Sequence, residues 1–63
     1  MNNSFEFLVT GQGYEHNDPY KQTILLHDTF FASDPNEAKN QFSDKFKSTH
    51  KIIKIFSSVN LDD

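Results

Sequence analysis

The stretch Ser33–Ala38 (SDPNEA) sets the start of the only predicted helix in this 63-residue chain. Asp34 suits the N-cap position, because its carboxylate can accept a hydrogen bond from a backbone N–H of the first turn. Pro35 suits the first helical position, where no N–H is needed, and Glu37 completes a capping box three residues after the cap. We therefore predict that a helix begins at this point.

The residues after the cap define one apolar helical face. Ala38, Phe42 and Phe46 recur every four residues, whereas polar side chains occupy the intervening positions. Acidic residues in the first turn and Lys45 near the end match the helix dipole. The pattern predicts a helix that ends near Ser48.

Two extended segments precede the helix. In Ser4–Thr10 apolar residues alternate, so Phe5, Phe7 and Val9 share one face of a predicted strand. Gly11–Gly13 (GQG) breaks the alternation, and turn-forming residues follow as far as Pro19. The sequence thus predicts a strand that ends near Thr10 and then a long loop.

The second extended segment, about Tyr20–Ala32, carries apolar side chains on both faces. Asp28 falls on the side assigned to the core, where a buried carboxylate would be costly. We therefore expect a bulge, a bend or a solvent-facing end near His27 and Asp28.

The third segment, about His50–Leu61, follows the helix and also alternates. One side of this predicted strand carries Ile53, Ile55, Val59 and Leu61. The other side carries Ile52, Lys54, Phe56 and Ser58.

These elements predict an α+β fold in a single domain, residues 1–63, with the order ββαβ. A right-handed crossover that docks the third strand beside the first makes all neighbours antiparallel, in a three-stranded sheet of order 2-1-3. One helix covers one face of this single-layer sheet. The uncovered face should carry Leu8, Leu25, Ile52 and Phe56, either as an apolar patch or as scattered hydrophobes shielded by lysine stems.

Composition excludes several classes of protein. The chain has no Cys, which rules out disulfides and thiolate metal sites and favours a reducing, cytoplasmic location. It has neither a signal-like N-terminus nor an apolar run of about 20 residues, so no membrane association is expected. Its net charge is −3 with six Lys and no Arg, which disfavours direct nucleic-acid binding and favours a partner with a basic surface.

No catalytic, cofactor or metal motif is complete. Gly11–Gly13 lacks the third glycine of a dinucleotide fingerprint, since His16 stands there. His16, His27 and His50 lack the spacing of metal ligands, and no Ser lies in a nucleophile elbow. We therefore expect no cofactor, no metal and no enzymatic activity. A small metal-dependent enzyme ranks last among the alternatives.

Three acidic clusters remain as binding candidates: the C-terminal tip, the loop before Tyr20 and the helix cap. The residues that we select as contacts to a basic protein surface are Glu15, Asp18, Asp62 and Asp63, with Tyr14 and Tyr20 as loop anchors. The alternative is that these residues are a solvated tail, a polar loop and a cap.

In size, acidic balance, lack of Cys and element order, the whole chain resembles the small inhibitors that phages encode, the anti-CRISPR proteins among them. The resemblance implies a non-enzymatic protein that binds a host CRISPR-Cas effector and blocks nucleic-acid binding or nuclease recruitment. One alternative is a small structural or regulatory module that acts as a homodimer through the uncovered face or an outer strand. Another is a nucleic-acid binder that uses the lysines between the helix end and the third strand: Lys45, Lys47, Lys51 and Lys54.

Overall fold

The computed structural model describes residues 4–62. The chain forms β1 (Phe5–Glu15), β2 (Ile24–Ala32), α1 (Pro35–Phe46) and β3 (His50–Asn60). The strands make an open antiparallel sheet in the order β2-β1-β3, and α1 packs on one face of it. The predicted α+β fold with ββαβ order is confirmed.

The helix begins where the sequence predicts. The Asp34 carboxylate accepts a hydrogen bond from the Glu37 N–H at 2.8 Å, and Pro35 is the first helical residue. The Glu37 carboxylate reaches back to the Ser33 N–H at 3.2 Å, so the capping box includes the residue before the cap. The helix ends at Phe46, two residues earlier than predicted, with Lys47 as its C-cap.

The core lies between α1 and the sheet. Phe42 is fully buried, and its ring meets the ring of Phe46 at a centroid distance of 4.9 Å and that of Phe30 at 6.2 Å. The residues that form this buried cluster are Phe7, Val9, Leu26, Ala32, Ala38 and Phe42. Two of the six are aromatic, and the partly buried rings of Phe30 and Phe46 pack against them, so aromatic side chains supply a large part of the core.

The prediction that Gly11–Gly13 breaks the first strand is wrong. β1 continues to Glu15, and both glycines are buried within it. A Cβ on Gly11 would lie 2.8 Å from the Lys54 carbonyl oxygen and 3.0 Å from the Phe42 ring, and one on Gly13 would overlap the Lys51 carbonyl oxygen. The glycines are needed because β3 and α1 approach the β1 backbone too closely for a side chain.

The prediction of uninterrupted alternation in the third strand is also wrong. The register between β1 and β3 shifts twice, so Phe56 and Ile53 are extra residues that pair with none on β1. Each shift moves the side chains of the residues beyond it to the opposite face of the sheet. As a result Ile52, expected on the uncovered face, packs against the core together with Ile55.

Asp28 is accommodated without a bulge. The β1–β2 register is continuous and places Asp28 opposite Val9, on the side of the sheet that faces α1. The half-buried carboxylate forms an ion pair with Lys45 from the last turn of α1 and accepts a hydrogen bond from the Thr29 N–H at 2.8 Å. The Lys45 ammonium, and secondly the Thr29 N–H, lower the pKa of Asp28 below its ordinary value of 3.8. The Asp28 carboxylate is thus stabilised by the Lys45 ammonium, and the bulge or bend that the sequence predicts is not present.

Asp28→Asn is expected to lower the free energy of unfolding at pH 7 by about 1 kcal/mol or less, because both partners are partly exposed. A lowered pKa means that the ionised carboxylate stabilises the fold above its ordinary pKa and that this contribution is lost as the pH falls through the folded-state value. Urea denaturation should be measured from pH 7 to pH 2. The difference in the free energy of unfolding between the unaltered protein and Asp28→Asn should become smaller below about pH 4. Asp44→Asn, which removes the more exposed pair with Lys47, is the control and should have the smaller effect. A difference for Asp28→Asn that does not change with pH would contradict the assignment.

Candidate protein-binding surfaces

Four of the six predicted binding residues lie where β1 ends. Tyr14 is half-buried inside β1 rather than in the loop, and Glu15 is the last residue of that strand. The Asp18 carboxylate accepts hydrogen bonds from the Tyr20 and Gln22 N–H groups, each at 2.9 Å. Asp18 therefore closes the turn, whereas Tyr20 is 90% exposed and available for contact.

Basic groups surround these acids. In the sheet register Glu15 pairs with His50, and Tyr14 pairs with Lys51. A ring nitrogen of His16 lies 2.8 Å from the Lys47 carbonyl oxygen, which brings the end of α1 to the same place. The surface near the loop, which we call the loop end, consequently has mixed charge.

The last described residue of the chain, Asp62, lies at the opposite end of β1. Its carboxylate accepts a hydrogen bond from the Glu6 N–H at 2.7 Å, and the Leu61 N–H donates to the Glu6 carbonyl at 2.7 Å. Nine residues of extended chain separate Glu6 from Glu15, a distance of about 30 Å. The structure therefore does not bring Asp62 together with the loop residues. Asp63 lies outside the described residues.

A different set of carboxylates lies at the same end of the sheet as Asp62. Ala32 pairs with Phe5 at the start of β1, and α1 begins three residues later, so the capping residues join the same end of the molecule. We call this the acidic end, and its four residues are Glu6, Asp34, Glu37 and Asp62. The segments that build it (residues 4–8, 31–38 and 59–62) contain no Lys. The acidic end thus holds four of the eight acidic residues of the described chain.

The sheet face that points away from α1, which we call the back face, is not covered by any element formed by residues 4–62. Paired residues share a face, which assigns to it Glu6, Leu8, Thr10, Gln12, Tyr14, Leu25, His27, Thr29, Phe31, Lys51, Lys54, Ser57 and Val59. Phe31, Leu25 and Val59 are 67%, 64% and 51% exposed, and half-buried Leu8 lies opposite Val59. Of the four apolar residues expected on this face, Leu8 and Leu25 lie on it, whereas Ile52 packs against the core and Phe56 is an unpaired bulge residue. Phe31 and Val59 are further apolar residues of the face.

Both edges of the sheet carry features that oppose pairing with another strand. On β2 the Thr29 N–H donates to Asp28, and the Phe31 carbonyl accepts from the Gln41 side chain at 2.9 Å. On β3 two bulges interrupt the edge. Bulges and occupied backbone groups are common protections of sheet edges. A partner is therefore more readily received on a face or an end than on an edge.

Within residues 4–62 no cavity is found, and no three His, Asp or Glu side chains are grouped as metal ligands would be. In the same part of the chain, no helix combines the length and apolar character needed to cross a membrane. Comparison with protein-family models, curated proteins and solved structures finds no match. Inference about function therefore starts from the acidic end, the loop end and the back face.

Proposed function

We propose that this protein is a non-enzymatic inhibitor that docks its acidic end on the basic, nucleic-acid-binding surface of a host defence complex. The complex is a CRISPR-Cas effector, the partner class that the resemblance of the chain implies. The observation that carries the proposal is that four acidic residues from three separate segments lie at one end of the sheet, in stretches of sequence without Lys. Such a surface competes for the cationic groups that otherwise hold phosphates.

Hydrogen bonds within the protein hold the acidic end in place. The Asp34 carboxylate is fixed by the Glu37 N–H, and the Asp62 carboxylate by the Glu6 N–H. Each of these bonds uses one carboxylate oxygen and leaves the other available to a cation. Preorganised charges lose less conformational entropy on binding, which favours a surface of this kind over a flexible acidic tail.

The loop end is less suited to the same task. Lys51 pairs with Tyr14, next to Glu15, and its positive charge opposes attraction of the loop end to a basic surface. Asp18 is also occupied by two backbone N–H groups of its own turn. We assign the predicted loop anchors Tyr14 and Tyr20, with Glu15, to a secondary contact at most.

Neutralising the acidic end is expected to weaken inhibition more than tenfold. The double variant Asp34→Asn/Asp62→Asn removes two charges and keeps a side-chain oxygen for each backbone N–H, and Asn caps helices as well as Asp does. A tenfold loss corresponds to about 1.4 kcal/mol, a modest value for two charge pairs at an interface. The measurement is target-DNA binding by a panel of purified CRISPR-Cas effector complexes, with the protein titrated in.

The matched control is Glu15→Gln/Asp44→Asn, which changes the net charge equally but acts at the loop end and the helix C-terminus. The concentration of this control variant that gives half-maximal inhibition should be within twofold of that of the unaltered protein. The proposal fails if no effector of the panel is inhibited, or if the two double variants lose inhibition to the same extent.

A further inference from the structure

The back face is the largest surface for which the fold supplies no partner. The apolar side chains Phe31, Leu25 and Val59 are more than half exposed on it, while the edges of the same sheet are protected. We propose that the back face binds a second copy of this chain, sheet against sheet, with the two β1 strands antiparallel.

The charges on the back face point to a second copy as its occupant. Glu6 lies toward one end, whereas Lys54 and Lys51 lie toward the other, opposite Gln12 and Tyr14. A two-fold axis between the sheets and perpendicular to β1 places the level of Glu6 in each copy above the level of the lysines in the other. Such an interface is isologous, since both copies use the same residues.

The apolar residues match in the same arrangement. Phe31 pairs with Glu6 and Leu25 pairs with Gln12, so the two lie six positions apart along the sheet, on the same strand. If the two-fold axis passes midway between them, the Phe31 ring of one copy meets Leu25 of the other, twice per dimer. Lys54 pairs with Gln12, six positions from Glu6 along the sheet. The same axis therefore places Lys54 of one copy above the end of the sheet that carries Glu6 in the other copy.

Other occupants fit less well. Rotation about an axis parallel to β1 and above it would stack Glu6 on Glu6, which is repulsive, and would place Lys54 of β3 over Leu25 of β2. A lipid surface would leave the Thr29 hydroxyl and the Gln12 amide without partners, whereas the Thr10 hydroxyl is hydrogen-bonded to Ser57. A second copy in the antiparallel arrangement satisfies both the charges and the apolar side chains.

The size of the back face sets the strength of the dimer. It presents about half of the roughly 20 to 30 residues per side that a standard interface uses. The interface therefore falls in the small, weak class, and a Kd in the micromolar range is expected. Dimerisation can be tested apart from the proposed function, because it requires no effector; of the acidic end it uses Glu6 and leaves Asp34 on the helix side of the sheet.

The first test is sedimentation equilibrium of the full chain from 5 μM to 1 mM. We expect the mass to rise from 7.3 kDa toward twice that value. Phe31→Ser should weaken association more than tenfold, whereas Tyr20→Ser, which removes an exposed aromatic side chain away from the back face, should leave it unchanged. Circular dichroism checks that both variants fold. A monomer throughout the range, or equal association of Phe31→Ser and the unaltered chain, overturns the proposal.

The second test is a charge swap. Glu6→Lys and Lys54→Glu should each weaken the dimer several-fold, and the double variant should restore it. Within one chain these residues lie six positions apart along the sheet, about 20 Å, so they have no direct contact to restore. Recovery in the double variant therefore reports contact between copies in the antiparallel arrangement. Absence of recovery would exclude that arrangement.

Discussion

Phe42→Ala is expected to leave the protein largely unfolded at 25 °C. The Phe42 side chain is fully buried between the sheet and α1, and it contacts the rings of Phe30 and Phe46. Truncation of a buried Phe to Ala costs about 3–5 kcal/mol. A single core in a domain of this size supplies roughly the same amount, and the chain has no disulfide to add to it.

The measurement is thermal unfolding followed by far-UV circular dichroism. The matched control is Phe56→Ala, which makes the same chemical change at a side chain that is 50% exposed. This control should keep a cooperative transition within a few degrees of the unaltered protein. A cooperative, native-like transition for Phe42→Ala would show that the core is not organised around this ring.

Gly13→Ala is expected to be nearly as damaging, although it adds only one methyl group. The new Cβ would overlap the Lys51 carbonyl oxygen and lie 3.3 Å from a methyl group of Leu26. A backbone carbonyl in a paired strand cannot rotate away as a side chain can. The start of β3 must therefore separate from β1, at a cost on the order of 3 kcal/mol.

Urea denaturation and an amide correlation spectrum measure this effect, and Gln12→Ala is the control. Gln12 lies between the two glycines on the back face, where truncation creates no overlap, so its midpoint should change little. If Gly13→Ala is stable, its spectrum should show shifts along all of β3. Unchanged β3 resonances in a stable Gly13→Ala variant would contradict the close approach seen here.

Local signals in the sequence predict the helix and the topology well. Asp34, Pro35 and Glu37 act through hydrogen bonds and dihedral angles that span four residues, so the start of α1 can be recognised without the rest of the chain. The strand order follows from the antiparallel preference and the handedness of one crossover. Both depend on rules that hold in any small α+β domain.

The register of β3 could not be predicted in the same way. Apolar residues occur at both odd and even positions of this strand, as Ile52, Ile53 and Ile55 show. Alternation alone therefore does not distinguish a continuous strand from one with two bulges. The signal that was available lay on β1. Two glycines within an alternating segment indicate close approach of another backbone as readily as they indicate a turn.

Tertiary structure also decided the binding surfaces. Lys45 neutralises Asp28 only once α1 is docked, and Glu6 joins Asp34 and Asp62 only once β1 lies at the centre of the sheet. The sequence shows Asp62 and the helix cap as separate clusters. Their convergence at one end depends on the pairing of Phe5 with Ala32 and of Glu6 with the chain after β3.

The central position of β1 has a consequence for how the protein is made. β1 leaves the ribosome before both of the strands with which it pairs, and β3 emerges after β2 and α1. Until residues 50–60 emerge, one edge of β1 is unpaired and the core lacks Ile52 and Ile55. A nascent chain whose emerged part ends after α1 therefore exposes a strand edge that chaperones or other nascent chains can bind.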